Sequence, residues 1–245
     1  QKQDHSFHSR LQHRQKAEVL LPETAEAYFL RAMTAITVKE QLAALNRALQ
    51  LDPAHYESRR LRAFTYYASR KYEKMEDDAL GMTILRPRDP LGYSLRASAQ
   101  RELGHYAEAL ADYDMALTLM PGDNPQNLDV SIQRCETLLR MGRYEHVVTT
   151  AQEMLKLWPD KPVFQYHVFC ARTALGDVNE AQEVFQKIVL SAPTARNEFW
   201  FWMTKYVFDA LEAGRSWHPP GHEPEGAAFL PLVEAEETYR DLSAK

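Results

Sequence analysis

Arg88 to Pro121 reads RDPLGYSLRASAQRELGHYAEALADYDMALTLMP. Tyr93 and Ala97 stand one helical turn apart and so share a face. Ala109, Tyr113 and Ala116 are spaced by four and then three residues, the buried stripe of a second helix. The alanines permit close backbone approach, and the tyrosines fill the space beside them. Gly104 suits the left-handed conformation that ends a helix. Pro121 cannot continue the second helix. The stretch therefore predicts two amphipathic helices joined by a short turn at Leu103-Gly104-His105.

The design recurs on both sides. Pro53, Pro87 and Pro121 are 34 residues apart, and so are Pro159 and Pro193. The gap from Pro121 to Pro159 is four residues longer, which an extra Gly122-Asp123-Asn124-Pro125 turn explains. This pattern resembles the tetratricopeptide repeat, a helix-turn-helix unit of 34 residues. Ala109, Tyr113, Ala116 and Pro121 match its second-helix marks. Tyr93 stands where the family usually has tryptophan, and Ala97 where it usually has glycine.

The resemblance implies an all-α, right-handed superhelical solenoid of about five repeats with N- and C-terminal capping helices. The expected repeats are 24–53, 54–87, 88–121, 122–159 and 160–193. A polar extension or cap helix is expected over 1–23. Capping helices are expected over 194–245, with a proline-rich loop at 215–225. Thr24 is a candidate N-cap. The first repeat is short by three residues and has no turn glycine, which predicts a tighter turn or a shorter first helix.

Composition bounds the function. The chain has 245 residues, 45% of them apolar, and alternating strand-like runs are absent. The net charge of −5 argues against a nucleic-acid footprint. Arg59-Arg60-Leu61-Arg62 and Arg86-Pro87-Arg88 are local basic clusters and read as solvated helix faces and turns. Cys135 and Cys170 read as small buried residues, which favours a reducing, cytoplasmic setting. No apolar run approaches the roughly 20 residues of a membrane span.

No catalytic, cofactor or metal site is expected. His5, His8 and His13 lack a clean ligand spacing. His218, His222 and Glu223 form an HxxxHE string in a stretch with three prolines, where no helix enforces geometry. Glycine-rich phosphate loops and nucleophile elbows are missing.

The expected function is protein–protein interaction. In the family, first helices line the concave face. That placement puts Arg60, Phe64 and Tyr67 on it in the second repeat and Ser94, Ser98 and Arg101 in the third. Glu136 and Arg140 follow in the fourth, Tyr166 in the fifth, and Trp200 in the capping helix. Phe29, Met33 and Ile36 are expected there in the first repeat. Aromatic residues and arginine are the types enriched at binding hot spots, and such a groove suits a peptide or protein segment. Two alternatives stand beside it. One is a docking or regulatory arm of a larger protein, such as a kinase or transferase. The other is a module that self-associates through its aromatic C-terminal end.

Overall fold

The computed structural model describes residues 23–120, 124, 126–159, 161–177, 179–181, 183, 184 and 187. The expected N-terminal cap, the capping helices after Pro193, the proline-rich loop and both histidine groups lie outside these residues. So do Pro121, Pro193 and Trp200. Among the described residues all regular structure is helical. The chain divides into two compact units, Gln1–Pro121 and Gly122–Lys245. The division falls at the four-residue excess in the proline register.

The first unit contains α1 (Ala25–Met33), α2 (Val38–Leu51), α3 (Tyr56–Ala68), α4 (Tyr72–Leu85), α5 (Pro90–Glu102) and α6 (Tyr106–Leu119). Each helix packs on the next in the chain. The second unit contains α7 (Gln126–Arg140), α8 (Tyr144–Leu157) and α9 (Pro162–Leu175), and all three touch one another. Tetratricopeptide-type helix pairs are therefore α1/α2, α3/α4, α5/α6 and α7/α8, with α9 opening a fifth.

Local chemistry sets the helix starts. Thr24 Oγ1 accepts from the Ala27 amide at 3.2 Å, as a cap should. Thr37 does the same for Glu40, whose carboxylate accepts from the Ile36 amide. Asp89 caps α5, where Pro90 occupies the first turn and loses no helical hydrogen bond. The short first repeat resolves as a short first helix. α1 has 9 residues against 13 in α3 and α5, and the Thr34 hydroxyl closes it on Leu30 and Arg31 carbonyls. Ile36, expected on the α1 stripe, sits instead in the α1–α2 turn.

The stops form a second register. Gly104, Gly142 and Gly176 end α5, α7 and α9 with φ of 82°, 68° and 82°. The equivalent position after α3 is Arg70, whose φ is 53°. A side chain in the left-handed region costs about 1 kcal/mol that glycine does not. Arg70→Gly is expected to raise stability by about 1 kcal/mol, read as a higher urea midpoint at unchanged slope.

The expected core stripes are buried. Ala97, Ala109, Tyr113 and Ala116 are fully enclosed in the third repeat. Ala63, Met75, Ala79 and Met82 do the same in the second, joined in one cluster with Tyr56, Tyr66, Leu95 and Ala99. In the second unit, Cys135, Ala151, Val163, Phe164 and Val168 form the core, with Val184 packed against it.

In the basic cluster at 59–62 only Arg60 is solvated, and Arg59 and Arg62 are structural. Arg62 on α3 grips Asp78 on α4 with two hydrogen bonds, of 2.7 and 2.6 Å. Arg59 reaches the same carboxylate at 3.4 Å. It lies across Gly81, where a Cβ would come within 2.7 Å of its guanidinium. Burial alone would lower the Arg62 pKa, but the hydrogen bonds and charge of Asp78 hold it above the usual value. One repeat later Arg96 grips Asp112 in the same two-pronged way. Its pKa is raised by that hydrogen bonding against a smaller cost of burial. In the fourth repeat the equivalent pair is Arg134 and Thr150, at 2.9 Å. In the fifth it is Val168 and Val184, both at the apolar core. The two helices of a pair thus meet at one register point through charge in the second and third repeats and through a hydroxyl in the fourth, and apolar side chains hold that register in the fifth.

Candidate functional site

The side chains expected to line the first-helix faces fall into different environments. On α3, Arg60, Phe64 and Tyr67 follow at intervals of four and three and form one stripe. Phe64 is 43% exposed and Tyr67 45% exposed. Their neighbours Ala63 and Tyr66 make the core contacts, so these two rings are spare to it. Arg60 pairs with Glu57 at 2.8 Å, and Glu57 also faces Arg86 at 3.5 Å.

Arg86 in turn lies over the Tyr56 ring, 3.7 Å from its centroid. The Tyr56 hydroxyl donates to Asp89 at 2.7 Å. Burial, with that hydrogen bond, pushes the Tyr56 hydroxyl above its ordinary range. The second basic cluster is therefore partly structural as well: Arg86 clamps the start of α3 to the α4–α5 turn.

On α5, Ser94 donates to the Leu91 carbonyl. Ser98 and Arg101, expected on an open face, are buried. Ser98 donates to the Ser94 carbonyl and lies 3.3 Å from the Tyr113 hydroxyl. Arg101 pairs with Glu102 at 2.9 Å. In the first repeat Phe29 packs against His55, and Met33 is exposed at the end of α1.

In the second unit, Glu136 and Arg140 on α7 are half-buried. Tyr166 on α9 is buried, and burial pushes its hydroxyl well above the usual range, with Cys170 adding to the effect. Its neighbour Cys170 is pushed up to about 12 by burial, as is Cys135. Thiols held that high are not nucleophiles. Among the described residues, no three His, Cys, Asp or Glu side chains gather as metal ligands would. No described helix is long and apolar enough to cross a membrane.

The sequence reading missed two features on α3 and its turn. One is the tie of Arg59 and Arg62 to Asp78. The other is the left-handed Arg70 beside Tyr67. Both were detectable by laying charged residues on the proline register: Arg62/Arg96/Arg134 and Asp78/Asp112/Thr150 align, and Arg70 aligns with three glycines.

No protein-family model matches the chain. Tetratricopeptide repeat protein 28 of Mus musculus is 28% identical over 119 residues, covering 49% of this chain. The chain spans 5% of that relative's length. Among solved structures, a tetratricopeptide repeat protein from Parabacteroides merdae superposes with a TM-score of 0.66 at 14% identity, covering 78% of this chain and 74% of that one. YrrB, described as a TPR protein with an unusual peptide-binding site, gives 0.63 at 16% identity over 79% of this chain and 97% of its own. The period read from the prolines, the helix pairs and these likenesses agree, and the chain has the tetratricopeptide-repeat fold.

Proposed function

We propose that this array is a non-catalytic scaffold that binds a peptide or protein segment, and not nucleic acid, on the first-helix face of its first unit. The observation that carries the reading is the exposure of Phe64 and Tyr67. Two large rings, one helical turn apart, face solvent on a helix whose core contacts are made by other residues. Aromatic side chains of this kind anchor partners, because they bury much surface at small cost in rotamer freedom. Arg60 lies one turn before Phe64 and supplies a polar edge.

The test is a Phe64→Ala/Tyr67→Ala double variant. Both side chains are spare to the core, so stability should change by no more than about 0.5 kcal/mol per site. A partner recovered with the wild-type protein should bind the variant at least about 2 kcal/mol more weakly by calorimetry. Equal binding by both proteins would remove the site from this face.

A further inference from the structure

The turn between α3 and α4 departs from its equivalents in a way that packing does not explain. Arg70 occupies the left-handed position that glycine fills at 104, 142 and 176. Strain of this kind persists where the side chain has a use. Arg70 and Lys71 are both exposed, and neither side chain has an ion pair or hydrogen bond among the described residues. Glu73 follows in the first turn of α4 and pairs with neither. A cation near the α3 C-terminus does favour the helix dipole. Lys71 supplies that charge at the next position without a left-handed arginine, so the dipole leaves Arg70 unaccounted for.

Aromatic rings bracket these two cations. Tyr67 and Tyr72 meet across the turn with ring centroids 6.2 Å apart. Phe64 lies one turn before Tyr67 on the same stripe. The α4 amides that begin here receive no side-chain cap, and that helix end adds a positive field. The patch thus joins an apolar aromatic floor to two positive charges without an ion-pair partner among the described residues.

We propose that the Tyr67–Tyr72 turn of the second repeat docks an acidic peptide segment of a partner protein, with an aromatic or aliphatic residue seated against Phe64 and Tyr67. The charge of the occupant follows from Arg70 and Lys71, which have no counter-ion among the described residues. A peptide is favoured over nucleic acid because two cations on a chain of net charge −5 would neutralise few phosphates. This deepens the reading above and rests on it for the anchor residues.

The experiment selects from a displayed library of random peptides about 12 residues long against the wild-type protein. Recovered peptides are then measured by fluorescence anisotropy against two variants, Arg70→Gly/Lys71→Gln and Phe64→Ala/Tyr67→Ala. The expected peptides carry an excess of Asp and Glu around an apolar anchor. Both variants should weaken them by about tenfold or more, and rising salt should weaken them further. Arg70→Gly alone should melt no lower than wild type, so weaker binding cannot be blamed on unfolding.

Peptides without an acidic excess would overturn the proposal. So would acidic peptides that bind the Arg70→Gly/Lys71→Gln variant unchanged. If those peptides still failed on the Phe64→Ala/Tyr67→Ala variant, the first-helix reading would stand and only the acidic turn would fall. No enrichment at all would remove both. A uridine oligonucleotide bound through Arg70 and Lys71 in preference to any peptide would overturn it in favour of nucleic acid.

Discussion

Asp78→Ala is expected to cost about 3 kcal/mol. The carboxylate is almost fully enclosed, and it is the shared acceptor of Arg62 and Arg59. Removing it leaves two guanidinium groups that are about a fifth exposed and face each other without an anion. The penalty is that of uncompensated buried charge, and it exceeds what the pair itself contributes over an apolar contact.

This separation can be measured. A double variant, Arg62→Leu/Asp78→Leu, should lose less than Asp78→Ala alone, because it removes the closer donor with the acceptor and leaves only Arg59, which keeps its bond to the Pro53 carbonyl. Val168 and Val184 hold the same register in the fifth repeat and show that apolar side chains fit there. Urea unfolding of both variants decides it. A double variant less stable than Asp78→Ala would mean that the ion pair stabilises the α3–α4 contact outright.

The second large effect is set by pH. His167 on α9 is 1% exposed, and neither ring nitrogen has a hydrogen-bond partner. Phe164 and Tyr166 lie against it, with centroids at 6.2 and 6.0 Å. Burial pulls its pKa from 6.5 down to about 3. Above pH 6.5 the ring is neutral folded and unfolded, so its contribution does not change. As pH falls from 6.5 toward about 3, the unfolded chain takes a proton that the folded chain refuses. Stability then falls by about 1.4 kcal/mol per pH unit from this residue.

Between pH 7.5 and pH 4.5 the loss should therefore reach about 2–3 kcal/mol. Carboxylates titrate in the same range, so the variant His167→Leu isolates the imidazole. Its urea-derived stability, compared with wild type at the two pH values, should show the wild type losing about 2–3 kcal/mol more on acidification. Parallel profiles for the two proteins would show that His167 finds a proton-accepting partner in the folded state.

Both effects lie where sequence reading was weakest. Ala109, Tyr113 and Ala116 announced their burial by spacing alone, because a 3.6-residue period admits one apolar face. The prolines and turn glycines announced the repeat, because each has a backbone geometry few residues share. A charged residue announces neither state. Arg62 and Arg60 sit two positions apart in one basic run, yet one is locked to Asp78 and the other lies on the surface. His167 reads as an ordinary polar residue of a first helix, and only its neighbours make it unpaired.

The sequence by itself determined the all-helical class, the 34-residue period and the buried stripes of the second and third repeats. These follow from local periodicity and backbone chemistry, which act within a few residues of each other. The tertiary structure decided which polar side chains are structural and which are open. It buried Ser98, Arg101 and Tyr166, left Phe64 and Tyr67 exposed, and set Arg70 in a glycine's conformation. Those outcomes depend on which helix lands opposite each side chain, a distance of 16 or more residues along the chain for Arg62 and Asp78. The cost of burying a charge depends on that neighbour, and one helix's periodicity carries no record of it.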